Sequence, residues 1–170
     1  MISVFGSLVG DKEIENVTNC MKEQWMGFGK TVDEFEKKYE EKFKVPIALV
    51  DSGSNALYMA VSLLNLKPGS EIILPSFTWV SCASSIILAG HTPIFCDVDL
   101  DTMNARKEDI QKKITKKTAA IMIVHYAGLP VEMDEILSLG YPVIEDAAHA
   151  VDSIYKGKPC GTIGEVGIFS

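Results

Sequence analysis

The sequence lacks the cysteine and histidine patterns that mark metal sites and disulfide-bonded proteins. Its cysteines are widely spaced and form no C-x-x-C pair: Cys20, Cys82, Cys96 and Cys160. Together with three scattered histidines they offer no zinc-ligand spacing, so we expect no metal site. Buried, reduced thiols are the default interpretation, and this cysteine usage predicts a cytoplasmic protein.

The sequence also lacks a strong positive charge and a long apolar run. Its 16 Lys and Arg residues face 23 Asp and Glu residues, for a net charge of −7. No basic stripe is present that nucleic acid or an anionic membrane would bind. No apolar run approaches the roughly 20 residues that span a bilayer, and the N-terminus lacks the basic segment of a signal peptide. We therefore expect neither a nucleic-acid nor a membrane partner.

The first part of the chain has the pattern of a helix. Residues 31–34 have the spacing of a capping box. Apolar side chains then recur on one helical face, at Val32, Phe35, Tyr39 and Phe43. We expect Pro46 to end this helix, which predicts an N-terminal helical segment over residues 1–45.

From Pro46 onward, short apolar runs alternate with helical patterns. The predicted strands are Ile47–Val50, Glu71–Leu74, Pro93–Cys96, Ala119–Val124, Pro142–Ile144 and Val166–Phe169. The predicted helices are Asn55–Leu64, Trp79–Ala89, Lys107–Ile114 and Glu132–Leu139. Near-continuous apolar strands that alternate with helices indicate a mainly parallel sheet covered on both faces. The sequence therefore predicts a three-layer α/β/α fold.

Polar and aromatic residues follow several of the predicted strands. Residues 52–54 follow the first strand, Trp79 the second, His125 and Tyr126 the fourth, and Asp146 the fifth. Ligands of open α/β sheets bind at the carboxyl ends of the strands. We therefore expect the functional site at this edge of the sheet.

The segment Asp51-Ser52-Gly53-Ser54-Asn55-Ala56 lies where a strand is predicted to give way to a helix. Small residues and the free amides at a helix N-terminus form a ready site for a phosphate. An ordinary helix cap, with Ser54 as the capping residue, is the alternative interpretation. The segment matches neither the P-loop nor the dinucleotide fingerprint.

Three further residues have a chemical and a structural interpretation each. Asp146 ends an apolar strand, and it either pairs with a protonated pyridine nitrogen or caps the next turn. His149 either approaches a cofactor oxygen or is structural. Trp79 either stacks on a flat heteroaromatic ring or belongs to the core.

Considered together, the segments resemble the DegT/DnrJ/EryC1/StrS sugar aminotransferases, which are fold-type-I pyridoxal-phosphate enzymes. The matching segments are Gly27–Glu36, Asp51–Leu57, Pro75–Val80, Cys96–Asp99, His125–Gly128 and Glu145–His149. Their shared order and spacing make the resemblance specific. It implies a truncated large domain of the pyridoxal-phosphate-dependent aspartate aminotransferase superfamily over residues 46–170, without the small C-terminal domain.

The resemblance implies a phosphate-binding group made of three residues. Ser54 and Asn55 would offer backbone amides to the phosphate of pyridoxal 5′-phosphate, and Ser54 also its hydroxyl. Ser170 would be a further phosphate ligand. Many family members have Thr-Ala where this chain has Ser54-Asn55, a change that leaves the backbone amides in place.

The resemblance also implies three contacts to the cofactor ring. Trp79 would stack on the pyridine ring, Asp146 would pair with the ring nitrogen, and His149 would contact the phenolic oxygen. Many family members have Gln at the position of His149, although His also occurs there.

The catalytic residue of the family is missing from the sequence. The lysine that forms the Schiff base would lie a few residues beyond Ser170, so none of the 170 residues is assigned as catalytic. Lys156 and Lys158 do not replace it, because they belong to a polar turn that we expect to be exposed. We therefore expect the chain to be inactive by itself.

The resemblance implies the activity of the intact protein. An amino group would pass from a donor such as glutamate to a nucleotide-linked keto-sugar, with the cofactor alternating between pyridoxal and pyridoxamine phosphate. The expected setting is a homodimer in surface polysaccharide or amino-sugar biosynthesis. Two alternatives remain open. One is a sugar dehydratase of the same family, and the other is a non-catalytic fragment that needs a partner chain.

Overall fold

The computed structural model describes residues 8–25 and 27–170. The chain divides into two compact units, Met1–Leu49 and Val50–Ser170. The described residues of the first unit include the helices α1 (Asp11–Lys22) and α2 (Lys30–Phe43). None of the helices in the described part of the chain has the length and apolar character that crossing a bilayer requires.

Helix α2 begins two residues earlier than the capping-box spacing predicts. Its N-cap is Gly29, which has extended backbone angles and makes no side-chain cap hydrogen bond. Thr31 therefore lies inside the first turn, and the predicted capping box at residues 31–34 is wrong. The early start is explained by Gly29, whose carbonyl already accepts the amide of Asp33 at 3.0 Å.

The apolar face predicted for α2 is confirmed. The rings of Phe35 and Tyr39 stack with their centroids 4.5 Å apart, and those of Tyr39 and Phe43 lie 5.4 Å apart. The helix ends at Phe43, before Pro46, because Lys44 adopts a left-handed conformation with φ of 59°.

The predicted strand Ile47–Val50 is wrong. This segment is not a strand in the structure, and its backbone donors bond to side chains of α2 instead of a neighbouring strand. The amide of Leu49 donates to Glu36 at 2.7 Å, and the amide of Ile47 donates to Glu40 at 3.3 Å. The apolar run predicts an extended backbone, but it cannot predict which acceptors that backbone meets.

The second unit contains a five-stranded sheet and a short hairpin. The strands are β1 (Glu71–Pro75), β2 (Thr92–Cys96), β3 (Thr118–Val124), β4 (Val143–Asp146), β5 (Ile154–Tyr155), β6 (Lys158–Pro159) and β7 (Val166–Ile168). The sheet has the order β2-β1-β3-β4-β7, and every pair in it is parallel. Strands β5 and β6 form the antiparallel hairpin. The predicted parallel sheet is confirmed.

Helices cover both faces of this sheet. They are α3 (Gly53–Leu63), α4 (Val80–Leu88), α5 (Lys107–Gln111) and α6 (Met133–Leu137). One apolar core joins α3 and α4 to the face that includes Ile144 of β4. The other joins α5 and α6 to the face that includes Val143. The predicted three-layer α/β/α arrangement is therefore confirmed.

The strand order creates a crevice at one edge of the sheet. The chain passes from β1 outward to β2, and then returns to the opposite side of β1 to form β3. The connections that follow β1 and β3 therefore leave the sheet in opposite directions. Ligands of such sheets bind at this switch point, outside the carboxyl ends of the strands.

Candidate functional site

Four of the predicted site residues lie at the carboxyl edge of the sheet. Trp79 follows β1, Asp146 is the last residue of β4, and His149 lies three residues later. Ser170 comes two residues after β7. The other two, Ser54 and Asn55, lie in the first turn of α3 and are not preceded by a strand.

Asp146 is a buried carboxylate that faces α4. Its side chain is 4% exposed, and its Oδ2 accepts a hydrogen bond from the Cys82 thiol at 3.1 Å. Its Oδ1 accepts the amide of Ala148 at 3.1 Å. The turn-capping interpretation therefore accounts for one oxygen of this carboxylate, and the contact to α4 accounts for the other.

Ser52, not Ser54, caps helix α3. The Ser52 hydroxyl accepts the amide of Asn55 at 3.3 Å, so the predicted cap is displaced by two residues. The Ser54 hydroxyl instead shares a 2.7 Å hydrogen bond with Ser81 in the first turn of α4. The side-chain amide of Asn55 donates to Asp51 at 2.7 Å.

Gly53 brings Ser170 against the N-terminus of α3. A Cβ atom at Gly53 would lie 2.8 Å from both Cβ and Oγ of Ser170, which is closer than side chains tolerate. The lack of a side chain at Gly53 thus permits the contact. Ser170 is exposed, and its hydroxyl lies against Gly53, the first residue of α3.

Trp79 is exposed at the start of α4. Its side chain is 71% exposed, so the alternative that it belongs to the core is wrong. Its backbone is extended, with φ of −69° and ψ of 140°, and it serves as the N-cap of α4. An exposed indole at the carboxyl edge of a parallel sheet is available to stack on a flat ligand.

His149 is exposed and is oriented by the turn that follows β3. Its Nδ1 accepts the amide of Ala127 at 3.3 Å, and its ring meets that of Tyr126 edge-on, with centroids 5.8 Å apart. Because Nδ1 accepts, the neutral imidazole carries its proton on Nε2. Asn104 holds the turn by accepting the amide of Tyr126 and donating to the carbonyl of Leu129.

A buried pair of residues supports the site from the opposite face of the sheet. His125 and Glu145 are both completely buried, and His125 Nε2 lies 2.9 Å from Glu145 Oε2. His125 Nδ1 accepts the amide of Val131 at 3.1 Å, so the neutral ring donates its Nε2 proton to Glu145. This contact joins the loop after β3 to strand β4.

Glu145 also accepts three backbone amides from the connection that leads to β7. Gly161 donates to Oε2, and Ile163 and Gly164 donate to Oε1. Burial raises the pKa of Glu145, but the hydrogen bonds from His125 and the three amides outweigh it and hold the pKa below its ordinary value. Glu145 is therefore an ionised, fully hydrogen-bonded anchor.

Sequence reasoning missed Cys82, Ser81 and the role of Glu145. A glutamate that follows Val143 and Ile144 in a predicted buried strand was a usable signal, because a buried carboxylate must be paired. His125, at the end of an apolar strand, was the obvious partner. Cys82 and Ser81 carried no local signal, since their partners are distant in sequence.

Lys156 and Lys158 are exposed, as predicted. Lys156 pairs with Asp134 at 2.7 Å.

Within residues 8–25 and 27–170, no group of three or more His, Cys, Asp or Glu side chains is placed to hold a metal ion.

Comparison with known proteins identifies a family for nearly the whole chain. The model of the DegT/DnrJ/EryC1/StrS aminotransferase family matches residues 8–170. The dTDP-4-dehydro-2,3,6-trideoxy-D-glucose 4-aminotransferase of Saccharopolyspora spinosa is 33% identical over 100% of this chain and 46% of its own length. The GDP-perosamine synthase of Escherichia coli O157:H7 is 39% identical over 99% of this chain and 48% of its own length. The chain thus spans about half the length of the curated relatives it matches.

Solved structures share the fold. The aminotransferase TlmJ from Streptoalloteichus hindustanus is 34% identical, with a TM-score of 0.93 over 100% of this chain and 48% of that protein. The E. coli GDP-4-keto-6-deoxy-D-mannose-3-dehydratase, solved with bound hydrated PLP, is 28% identical, with a TM-score of 0.90 over 97% of this chain and 45% of that protein. These likenesses confirm the predicted fold class.

Proposed function

Because the chain belongs to the DegT/DnrJ/EryC1/StrS aminotransferase family, we propose that it supplies part of the cofactor site of a pyridoxal-phosphate-dependent sugar aminotransferase. Residues 46–170 are then an incomplete large domain, preceded by the helical segment 1–45. The intact protein transfers an amino group from glutamate to a nucleotide-linked keto-sugar. The names of the two curated relatives, a dTDP-dehydrosugar aminotransferase and a GDP-perosamine synthase, support this substrate class.

The N-terminus of α3 fits the phosphate of the cofactor. Helix α3 is 11 residues long, and its first-turn amides carry a partial positive charge. The hydroxyl of Ser54 and that of Ser170, which lies against Gly53, add donors at the same place. The Asn55 amide, which Ser52 accepts at the long distance of 3.3 Å, is a further donor in this proposal.

Asp146 is the observation that carries the proposal. A carboxylate that is 4% exposed needs a partner for its charge. A protonated pyridine nitrogen is such a partner, and the exposed indole of Trp79 belongs to the same edge of the sheet. Asp146 would then bind the ring nitrogen and hold its proton, and Trp79 would stack on the ring and exclude water. His149 would donate a hydrogen bond from Nε2 to the phenolic oxygen.

When bound, the cofactor supplies an electron sink for a carbanion on the substrate. The chain's own residues bind and orient this group, and the family's lysine lies outside the 170 residues. The 170-residue chain alone is therefore proposed to be inactive. The complete protein is proposed to be a cytoplasmic homodimer that serves surface polysaccharide or amino-sugar biosynthesis.

An isotope-transfer assay on the complete protein tests the proposed reaction, since the 170-residue chain alone is proposed to be inactive. Glutamate labelled at its nitrogen is supplied with pyridoxal phosphate and a panel of GDP-linked and dTDP-linked keto-sugars. We expect label to appear in one sugar product, detected by mass spectrometry. Absence of label from every sugar, with the cofactor bound, would contradict the proposal of amino transfer.

The same assay addresses a second candidate function, a sugar dehydratase of the same family. The fold of the E. coli dehydratase, with its TM-score of 0.90, is the observation that favours it. The resemblance implies that a histidine in place of the family's lysine distinguishes such enzymes. A product that has lost a hydroxyl group and contains no label would identify the dehydratase.

A further inference from the structure

The side chains of Thr78, Cys82 and Asp146 form a hydrogen-bonded chain beneath the candidate site. The Thr78 hydroxyl donates to the Cys82 sulfur at 3.0 Å, and the Cys82 thiol donates to Asp146 Oδ2 at 3.1 Å. Thr78 directly precedes Trp79, Cys82 lies in the first turn of α4, and Asp146 ends β4. The chain of bonds therefore ties α4 and the segment that carries Trp79 to the end of β4, where Asp146 lies.

Cys82 is placed as a hydrogen-bond donor and not as a nucleophile. Its side chain is completely buried within the core between the sheet, α3 and α4. Burial, reinforced by the neighbouring Asp146 carboxylate, raises the pKa of Cys82 to about 12. The thiol thus keeps its proton at physiological pH, and a thiolate is the species that reacts with electrophiles and metals.

The Cys82 thiol matters because of the way it occupies the acceptor sites of the Asp146 carboxylate. An ionised carboxylate has about four lone-pair directions, and two of these are used by the Cys82 thiol and the Ala148 amide. The two donors reach different oxygens, so together they fix the rotation of the carboxylate plane. The remaining directions are then held toward a ligand.

We propose that Cys82 is a positioning residue for Asp146, which orients this carboxylate toward the ring nitrogen of the cofactor. This inference rests on the proposed function, because it takes the partner of Asp146 to be a protonated pyridine nitrogen. It adds a residue from α4 to the site and assigns the thiol a structural use instead of a reactive one.

The test is a double-mutant cycle read by calorimetric titration of the native protein with pyridoxamine 5′-phosphate. This form of the cofactor has no aldehyde and cannot condense with lysines, so its affinity reports non-covalent contacts alone. The four proteins are the wild type, Cys82→Val, Asp146→Asn and the double variant. Valine keeps the size and burial of the thiol but donates no hydrogen bond.

Asp146→Asn is expected to weaken binding about 30-fold or more, because it removes one partner of a buried charge pair. Cys82→Val is expected to weaken binding about three- to tenfold in the wild-type background. In the Asp146→Asn background the same change is expected to alter affinity less than about twofold, since the group it orients has lost its charge.

Two further variants separate orientation from packing. Cys82→Ser keeps a donor and is expected to retain affinity within about twofold of the wild type. Cys96→Val makes the same substitution at another buried cysteine, in the core on the other face of the sheet, and is expected to leave affinity unchanged. If Cys82→Val fails to fold, Cys82→Ala replaces it in the cycle.

Two results would overturn the inference. One is wild-type affinity for Cys82→Val while Asp146→Asn binds weakly. The other is an equal loss from Cys82→Val in both backgrounds, which would indicate a packing effect independent of Asp146. Equal affinity of Asp146→Asn and the wild type would instead contradict the proposed function, and the inference would fail with it.

Discussion

Glu145 and Asp146 are neighbouring carboxylates on β4 that point to opposite faces of the same sheet. Glu145, on the face of α5 and α6, accepts four hydrogen bonds, from His125 and three backbone amides. Asp146, on the face of α3 and α4, accepts two hydrogen bonds, one from the Cys82 thiol and one from the Ala148 amide. Four donors satisfy the acceptor capacity of a carboxylate, whereas two leave half of it available.

This difference separates an anchoring role from a binding role. Glu145 joins three parts of the chain, namely the loop after β3, strand β4 and the connection to β7. Asp146 is held by fewer partners and lies at the carboxyl edge where ligands of such sheets bind. Adjacent residues of the same charge therefore serve different purposes, because the strand directs them to different surroundings.

The largest expected effect is a loss of stability on replacing Glu145. In Glu145→Gln the amide nitrogen faces backbone donors, so at least one buried N–H loses its acceptor. We expect the free energy of unfolding to fall by about 3 kcal/mol. Urea denaturation followed by circular dichroism measures this change.

The exposed Glu135 provides the control for this experiment. Glu135→Gln makes the same chemical change and is expected to alter the free energy of unfolding by less than about 0.5 kcal/mol. Similar losses for the two variants would contradict the anchoring role of Glu145.

The second expected effect is a loss of stability in acid. The folded-state pKa of Glu145 lies below its ordinary value of 4.5, so the carboxylate binds protons less readily when folded than when unfolded. Its contribution to stability is fully present above pH 4.5 and is lost as the pH falls through the lower, folded-state pKa.

The difference in unfolding free energy between the wild type and Glu145→Gln isolates this contribution from other carboxylates of lowered pKa, such as Asp99, Asp109 and Asp134. We expect the difference to shrink as the pH is lowered below 4.5 in a series of urea titrations. A difference that stays constant across this range would show that Glu145 is not ionised in the folded protein.

A smaller effect on stability is expected at Asp146. Asp146→Asn keeps an oxygen that can accept from Cys82 or Ala148, and it removes a buried charge that is costly to desolvate. We expect the free energy of unfolding to change by less than about 1 kcal/mol. Thermal denaturation without cofactor, run beside Glu145→Gln, measures the contrast. Equal destabilisation by the two variants would contradict the claim that Glu145 and Asp146 have different roles.

The smallest expected effect concerns the hydroxyl pair that joins α3 and α4. Ser81→Ala removes the 2.7 Å partner of Ser54, which leaves the Ser54 hydroxyl free to rotate away from the phosphate. We expect about a twofold weaker affinity for pyridoxamine phosphate. Ser84→Ala is the control, because the Ser84 hydroxyl donates to the Val80 carbonyl within α4. Equal affinities for both variants and the wild type would show that Ser81 does not support cofactor binding.

The parallel sheet was predictable because its three central strands, β1, β3 and β4, are largely buried on both faces. Runs such as Ala119–Val124 are apolar throughout, and only a strand covered by helices on both sides permits that pattern. The segment Ile47–Val50 has a similar run, but the carboxylates of Glu36 and Glu40 accept its amides. An apolar run of four residues cannot distinguish these two outcomes.

The supporting contacts of the site were less predictable than its principal residues. Asp146 and Trp79 belong to segments that resemble a known family, so their sequence context was informative. The thiol of Cys82 is 64 residues from Asp146 in sequence. Such a contact arises from the packing of α4 on the sheet, and no local pattern encodes it.

The sequence pattern also did not predict the two strands of the short hairpin, β5 and β6. Each strand has two residues, which is too few to show alternation. The turn between them was predictable, since Lys156 and Gly157 form a polar dipeptide. Both adopt positive φ, at 47° and 85°, as a tight hairpin turn requires.

The most direct test of the proposed cofactor site is a crystal structure of the native protein grown with pyridoxamine 5′-phosphate. We predict that the ring nitrogen lies within roughly 2.7–3.2 Å of the Asp146 carboxylate, with the ring against Trp79. The phosphate should contact the first-turn amides of α3 and the hydroxyl of Ser170. A cofactor bound elsewhere, or one whose ring nitrogen lies away from Asp146, would contradict the account.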